Sequence, residues 1–183
     1  MMDGEAATNI YSEEFIAFRT QALHVTKEEY QSKMYVRDAL QSREYQNLCL
    51  WFGKDTFCQM NLLTLLAYLE QINYQGEVKL HYIDDETFAV IEKDIAVSLG
   101  VYRQIYQDIF LSKITPNDLG VLSKRAVELY FDYHSENGAL ANLIKANKDK
   151  AKTDIIPLLL EASKEYGLSD VQAEQLISTH LSK

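Results

Sequence analysis

The segment from 48 to 83 constrains the fold of this chain more than any other. LCLWFG at 48–53 is a short apolar run, which predicts a strand buried on both faces, as in a parallel sheet. Leucines then recur at helical spacing as far as 71, and EVKLHYI at 77–83 alternates as a second strand would. Strand, helix and strand in this order predict a βαβ unit with a right-handed crossover.

The regions on either side of this unit read mainly as helices. SEEFIAFRTQALH at 12–24 begins with Ser12 as an N-cap, and Thr26 and Glu29 form a capping box before a second helix. Helical patterns also dominate from about 99 onward. DDETFAVIEKDI at 84–95 fits either a third strand or a short helix, and the pattern does not separate the two.

The predicted sheet is thin for a parallel one. We predict an α/β fold with a small, mainly parallel sheet and flanking helices at 1–98, followed by a helical C-terminal subdomain at 99–183. A parallel sheet normally needs more than two or three strands, and residues 1–47 hold no convincing strand. We therefore expect that more of the fold lies upstream, or that a partner chain, as in a homodimer, completes the sheet.

Charge and hydropathy disfavour several classes of protein. The net charge is −9, and residues 115–183 carry 8 basic against 10 acidic residues. Binding to nucleic acid is therefore unexpected, because phosphate backbones are bound by clustered Lys and Arg. No apolar run approaches the roughly 18 residues of a membrane span, and the acidic N-terminus lacks the apolar segment of a signal peptide. We therefore expect no association with a membrane. Two cysteines without an export signal predict free, reduced thiols in a cytoplasmic protein.

The turn GKDTFCQMN at 53–61 is the candidate ligand site. Ligands of open α/β sheets bind beyond the carboxyl ends of the strands, and this turn follows the first strand. Asp55 fits two roles, as the N-cap of the helix or as a polar anchor for a ligand, with Lys54 as an anion contact. Gln59 and Asn61 lie in the same helical turn and face either a ligand or solvent.

Two further hypotheses concern reactive or metal-binding groups near this turn. Cys58 lies where a helix dipole favours the thiolate, and His81 on the next strand would supply a base. Asp84, Asp85 and Glu86 would either hold a divalent ion or cap a turn. The sequence contains none of the common phosphate-loop, dinucleotide, zinc-protease or hydrolase motifs. We therefore predict no catalytic residue and no metal site, and the sequence leaves the cofactor unknown.

The strand and the helix at this turn resemble those of a bacterial family classed as domain of unknown function 1835. That family has a Leu-Trp-Phe strand, then an acid, then a leucine-rich helix that contains a glutamine. The matching residues of this chain are Leu50, Trp51, Phe52, Asp55, Gln59, Leu62, Leu63 and Leu66. FIAFRTQALHVTKEEY at 15–30 looks like the arginine-containing helix of the family, and Arg19 is the matching arginine.

The resemblance extends to the C-terminal helices. RAVELYFDYHSENGALANLI at 125–144, which begins with Arg125, and PLLLEASKEYGLSDVQAEQLI at 157–177 are similar to the helical part of the family. Members usually carry an N-terminal strand and a glycine-rich turn that this chain lacks. The family implies no established activity. Some related chains are labelled AraC-family transcriptional regulators, and YGLSDVQAEQLI at 166–177 would be a degenerate helix-turn-helix.

These observations favour a bacterial cytoplasmic regulatory module that binds a ligand or a partner and is not an enzyme. Asp55, Gln59 and Asn61 would be its polar contacts, and Arg19 or Arg125 would pair with a small anionic ligand. One alternative is an enzyme that acts on a small phosphorylated or nucleotide-like substrate in the same cleft. Another is a transcriptional regulator that binds DNA through the C-terminal helices.

Overall fold

The computed structural model describes residues 3–42 and 44–181, which form nine α-helices and three β-strands. The N-terminal part contains α1 (Glu13–Leu23), α2 (Lys27–Ser32), α3 (Tyr35–Gln41), β1 (Asn47–Phe52), α4 (Thr56–Gln71), β2 (Glu77–Ile83) and β3 (Val90–Ala96). The C-terminal part contains α5 (Tyr102–Tyr106), a π-helical turn (Gln107–Ser112), α6 (Lys124–Tyr133), α7 (Ala139–Ala146), α8 (Lys152–Ala162), a 3₁₀ turn (Lys164–Tyr166) and α9 (Asp170–Leu181). None of the helices in the described ranges is long and apolar enough to cross a membrane.

The three strands form one mixed sheet in the order β1–β2–β3. The βαβ unit is confirmed, because α4 connects β1 to a parallel β2. The prediction of a mainly parallel sheet is wrong, since β3 pairs with β2 in the antiparallel sense. Only residues 84–89 separate these two strands. A connection of this length makes a hairpin, whereas a parallel pair needs a crossover of about a dozen residues or more.

One face of the sheet is open to solvent. Leu48, Leu50 and Phe52 of β1 pack against the core, whereas Cys49 and Trp51 point to the other face, as alternation along a strand requires. Trp51 is 52% exposed, so the prediction that this strand is buried on both faces is wrong. Its ring instead stacks on the ring of His81 from β2, with the centroids 4.2 Å apart.

Helix α4 lies at the centre of the hydrophobic core. Met60, Leu62, Leu63, Leu66 and Leu69 of this helix are fully buried, whereas Phe57, Asn61 and Leu65 form a partly exposed stripe along one side. The wide buried face of α4 needs neighbours on several sides, and α4 packs against β1, α5 and α6. Helices of the predicted C-terminal subdomain therefore contact the βαβ unit directly, and the boundary between 98 and 99 stays a prediction.

Local capping signals in the sequence are confirmed. Ser12 caps α1 by accepting a hydrogen bond from the amide of Phe15. Thr26 and Glu29 form the reciprocal capping box of α2. Asp55 caps α4, so the helix that leaves β1 begins at a defined residue. These contacts satisfy backbone amides that have no partner within the first turn of a helix.

Candidate functional site

The five predicted ligand-binding residues lie in three different places. Asp55 and Arg125 line a cleft at the carboxyl ends of β1 and β2. Arg19 and Asn61 line a separate cavity beside α1 and α4. Gln59 lies inside the protein, away from solvent. Any one site can therefore use only part of the predicted set.

The strand-end cleft, of about 320 Å³, contains charged groups that already pair with each other. Arg125 forms an ion pair with Glu165, with Nη2 and Oε2 2.9 Å apart. Lys54 reaches Glu92 of β3 at 2.5 Å. Both pairs are substantially exposed, so each contributes about 1 kcal/mol or less to stability. Both cations are therefore already paired with carboxylates of the protein, and neither is positioned for an anionic ligand.

Asp55 is confirmed as a helix cap within this cleft. Its Oδ1 accepts a hydrogen bond from the amide of Cys58 at 2.9 Å. Gly167 approaches it closely, since a Cβ on that residue would lie 2.0 Å from Oδ1. Gly167 also has a φ of +70°, which disfavours any side chain at this position. A contact between Asp55 and a ligand stays a prediction.

Asp85 pairs with Asp55 rather than with its neighbours in sequence. Partial desolvation and the nearby Asp55 carboxyl group, with which Asp85 shares a hydrogen bond, raise the pKa of Asp85 to about 6. Asp84 instead accepts hydrogen bonds from the amide and hydroxyl of Thr87, both at 2.7 Å, and these contacts lower its pKa. One donor atom each from Asp55, Cys58 and Asp85 lie within 4.8 Å of one another. Such a set suits a divalent cation, although exposed acids also cluster without one.

Replacing Asp85 by Asn is expected to stabilise the protein at neutral pH. The folded pKa of Asp85 lies above the ordinary value, so its protonated form favours folding, and stability falls as pH rises from about 4 to about 6. Because the side chain is exposed, we expect a gain of only about 1 kcal/mol, or about 2–4 °C in Tm. Thermal melts of both proteins across this pH range check the prediction, and a gain that is independent of pH would contradict it.

The contacts of the two residues do not favour a Cys58–His81 nucleophile pair. Burial raises the pKa of the Cys58 thiol to about 12, with Asp55 adding to the effect, so the thiolate is disfavoured despite the helix dipole. His81 lies on the open face of the sheet, where Nε2 is 3.8 Å from Sγ of Cys49. Its Nδ1 accepts a hydrogen bond from the amide of Asp94.

Gln59 links two parts of the fold. Its side-chain Nε2 donates to the carbonyl of Gly53 at 3.0 Å, and its Oε1 accepts from the amide of Ser123 at 3.0 Å. The side chain is 0% exposed. Gln59 therefore joins the turn after β1 to the start of α6, and its role as a ligand contact stays a prediction.

The cavity that contains Arg19 and Asn61 has a volume of about 490 Å³. It is bordered by α1, α2, α4, the start of α9 and the N-terminal segment, and its rim is exposed to solvent at Leu23, Phe57 and Val171. Its apolar walls come from Tyr11, Phe15, Leu23, Met34, Phe57 and Leu65. Polar groups from Asp3, Arg19, Tyr30, Asn61, Ser169 and Gln172 also line it. Ligand cavities usually combine apolar walls with a few polar groups in this way.

Arg19 is a buried cation on the wall of this cavity. It is 8% exposed, and one guanidinium nitrogen donates to the backbone carbonyl of Asp3. It also hydrogen-bonds to Tyr30, and this contact opposes the rise in pKa that burial causes for that phenol. Within residues 3–42 and 44–181, no carboxylate lies within 4.0 Å of it.

The carboxylate of Asp3 is engaged elsewhere. Its two oxygens accept hydrogen bonds from the hydroxyl of Tyr133 and from the side-chain amide of Gln172, each at 2.7 Å. These bonds tie the N-terminal segment to α6 and α9. The guanidinium of Arg19 therefore contacts the carbonyl of Asp3 while its charge stays uncompensated.

The sequence placed Arg19 in the candidate set only through the family resemblance. A direct signal was also present, because Arg19 follows Phe15 by four residues and shares its helical face. A charged residue on the apolar face of a helix is expected to have a buried side chain. The phenols of Tyr11 and Tyr30 were missed, since only the folding of α2 against α1 brings them to this cavity.

Comparisons with family models, with curated proteins and with solved structures return no match to this chain.

Proposed function

We propose that this protein is a non-enzymatic regulatory module that binds a small anionic molecule in the cavity beside Arg19. The observation that supports this proposal is the buried guanidinium, which has no carboxylate within reach among the described residues. Removing an uncompensated charge from water costs several kcal/mol. A fold that keeps such a charge at the wall of a cavity gains from an anion that enters it.

A thermal-shift screen of the purified protein against small anionic and neutral compounds tests this proposal. We expect at least one anion to raise the Tm of the wild type. Leu65→Trp, which fills the cavity, and Arg19→Met, which removes the cation, should each abolish the rise. Arg103→Met is the matched control, because it removes an exposed arginine that does not line the cavity. A rise that both cavity variants retain, or no rise with any compound, would contradict the proposal.

Arg19→Met also has an expected effect without ligand. Removing the buried charge stabilises the fold, whereas losing the hydrogen bonds of Arg19 to the Asp3 carbonyl and to Tyr30 destabilises it, so we expect the free energy of unfolding to change by only about 1 kcal/mol. The variant should therefore fold, and loss of binding would then report on the site itself. Leu65→Trp provides an independent check, since it leaves Arg19 in place.

An enzyme acting on a small phosphorylated or nucleotide-like molecule is a second candidate. One observation favours it, namely the Asp55–Asp85 pair in the strand-end cleft, where the pKa of about 6 suits a general acid or base. Turnover of a phosphate ester that Asp85→Asn abolishes would replace the binding proposal. DNA binding is the third alternative, and retention on heparin that weakens with salt would favour it.

Other parts of the proposal rest on the sequence. We propose a cytoplasmic location in a bacterium and membership of the domain-of-unknown-function 1835 family.

We also propose a homodimer. The strand at the outer edge of the sheet, β1, contains no charged residue in its sequence NLCLWF and could pair with a second copy. Natural proteins usually protect an exposed edge strand with charges or proline. Sedimentation of the purified protein would show whether two copies associate.

A further inference from the structure

We infer that the ligand is an amphipathic monocarboxylate, with its carboxylate on Arg19 and an apolar body in the rest of the cavity. This inference rests on the proposed function and narrows it to one chemical class. It depends on the charge balance, the walls and the size of the cavity.

The charges around the cavity favour a single negative charge on the ligand. Arg19 is the one basic side chain among the described residues that line it. Asp3 lines the same cavity and brings a negative charge of its own. A phosphate monoester carries nearly two charges at neutral pH, so Arg19 alone would leave one of them uncompensated near Asp3. A monocarboxylate matches the one available cation.

The geometry of a guanidinium also favours a carboxylate. Arginine has five N–H donors in a planar fork, which matches the two oxygens of a carboxylate. The contacts with Asp3 and Tyr30 use part of this set. The remaining N–H donors of the guanidinium are left for a ligand. Because Arg19 has low exposure, little water competes for these donors, and the pairing with a carboxylate is stronger for that reason.

The walls define the rest of the ligand. Apolar side chains line the space, including Phe15 of α1, Phe57 and Leu65 of α4, and Met34 at the start of α3. The two aromatic and two aliphatic groups give an apolar surface that favours hydrocarbon over a sugar or a base. A space of about 490 Å³ accepts a body of roughly ten to fifteen non-hydrogen atoms. A medium-chain or aryl-alkyl carboxylic acid has these properties.

A matched series of ligands tests this inference by isothermal titration calorimetry. The probes are decanoate, decan-1-ol, decyl phosphate and acetate, each kept below its micellar concentration. We expect decanoate to bind most tightly. Decanol, which lacks the charge, and acetate, which lacks the body, should each bind at least about tenfold more weakly, equivalent to about 1.4 kcal/mol.

Variants assign the binding to the cavity. Arg19→Met should weaken decanoate about tenfold or more and leave decanol unchanged, whereas Arg103→Met should affect neither. Leu65→Trp should weaken decanoate and decanol together. This pattern distinguishes binding that depends on the charge of Arg19 from nonspecific hydrophobic binding of an alkyl chain to the protein.

The remaining outcomes distinguish the inference from the proposed function. If decanol bound as tightly as decanoate, or decyl phosphate bound more tightly, the inference of a monocarboxylate ligand would be overturned. If Leu65→Trp abolished the binding of those probes, the cavity would still be a ligand site, as the proposed function states. The same conclusion would follow if the thermal-shift screen found a ligand of another chemical class whose effect on Tm was lost in Leu65→Trp. Failure of all four probes, together with an empty screen, would overturn both.

Discussion

Replacing Gln59 by leucine is expected to reduce the free energy of unfolding by about 2–4 kcal/mol, because it leaves one buried and one partly buried backbone group without a hydrogen bond. The amide of Gln59 bridges the carbonyl of Gly53 and the amide of Ser123, so both ends lose their contact at once. Leucine has a similar volume, which keeps the cavity term small. Urea unfolding followed by far-UV circular dichroism measures the change.

Gln31→Leu in α2 is the matched control for this substitution. Gln31 is exposed, so we expect a change within about 0.5 kcal/mol. If Gln59→Leu kept wild-type stability but lost affinity for a ligand found in the screen, Gln59 would act as a binding residue, as the sequence suggested. Its role in joining the β1 turn to α6 would then be minor.

Leu66→Ala is expected to destabilise the protein by about 3–4 kcal/mol, because it opens a cavity in the packed centre of the core. Leu66 is fully buried on α4, where the sheet and the helices around it leave little room to relax. The cost combines the lost transfer free energy of the side chain with the cavity that it leaves. Chemical denaturation at neutral pH gives the value.

Leu65→Ala provides the comparison for this prediction. Leu65 is partly buried and lines the Arg19 cavity, so truncation enlarges an existing space rather than creating one. We therefore expect a loss of about 1–2 kcal/mol. Equal losses for the two leucines would contradict the distinction between packed core and open cavity. They would also weaken the case for a ligand site at Leu65.

Sequence reasoning succeeded where the cause is local. Ser12, Thr26 and Asp55 satisfy amides of the helices that immediately follow them, so their residue types were enough to predict the caps. The βαβ unit was also predictable, since β1 and α4 are adjacent in sequence. β3 was ambiguous, because a short apolar segment after a turn fits more than one element.

The errors arose where the outcome depends on distant neighbours. The apolar run in β1 predicted burial on both faces, yet nothing in the run shows that the face of Trp51 has no covering layer. The candidate site was built from residues near one turn. α4 carries Gln59 into the core and Asn61 to the cavity, while Asp55 stays at the strand ends. A helix places residues two apart on different faces, and the direction of each depends on tertiary packing.

The position of Trp51 has a spectroscopic consequence. It is the single tryptophan of the chain, it is half exposed, and its indole stacks on His81 on the side of the sheet that faces away from the core. Its fluorescence emission therefore reports the solvent side of the sheet, with a red-shifted maximum and quenching by the imidazole. Among the residues that the structure describes, nine tyrosines are buried in the core. Near-ultraviolet dichroism of these tyrosines would follow core packing, and indole emission would follow any molecule that covers the sheet.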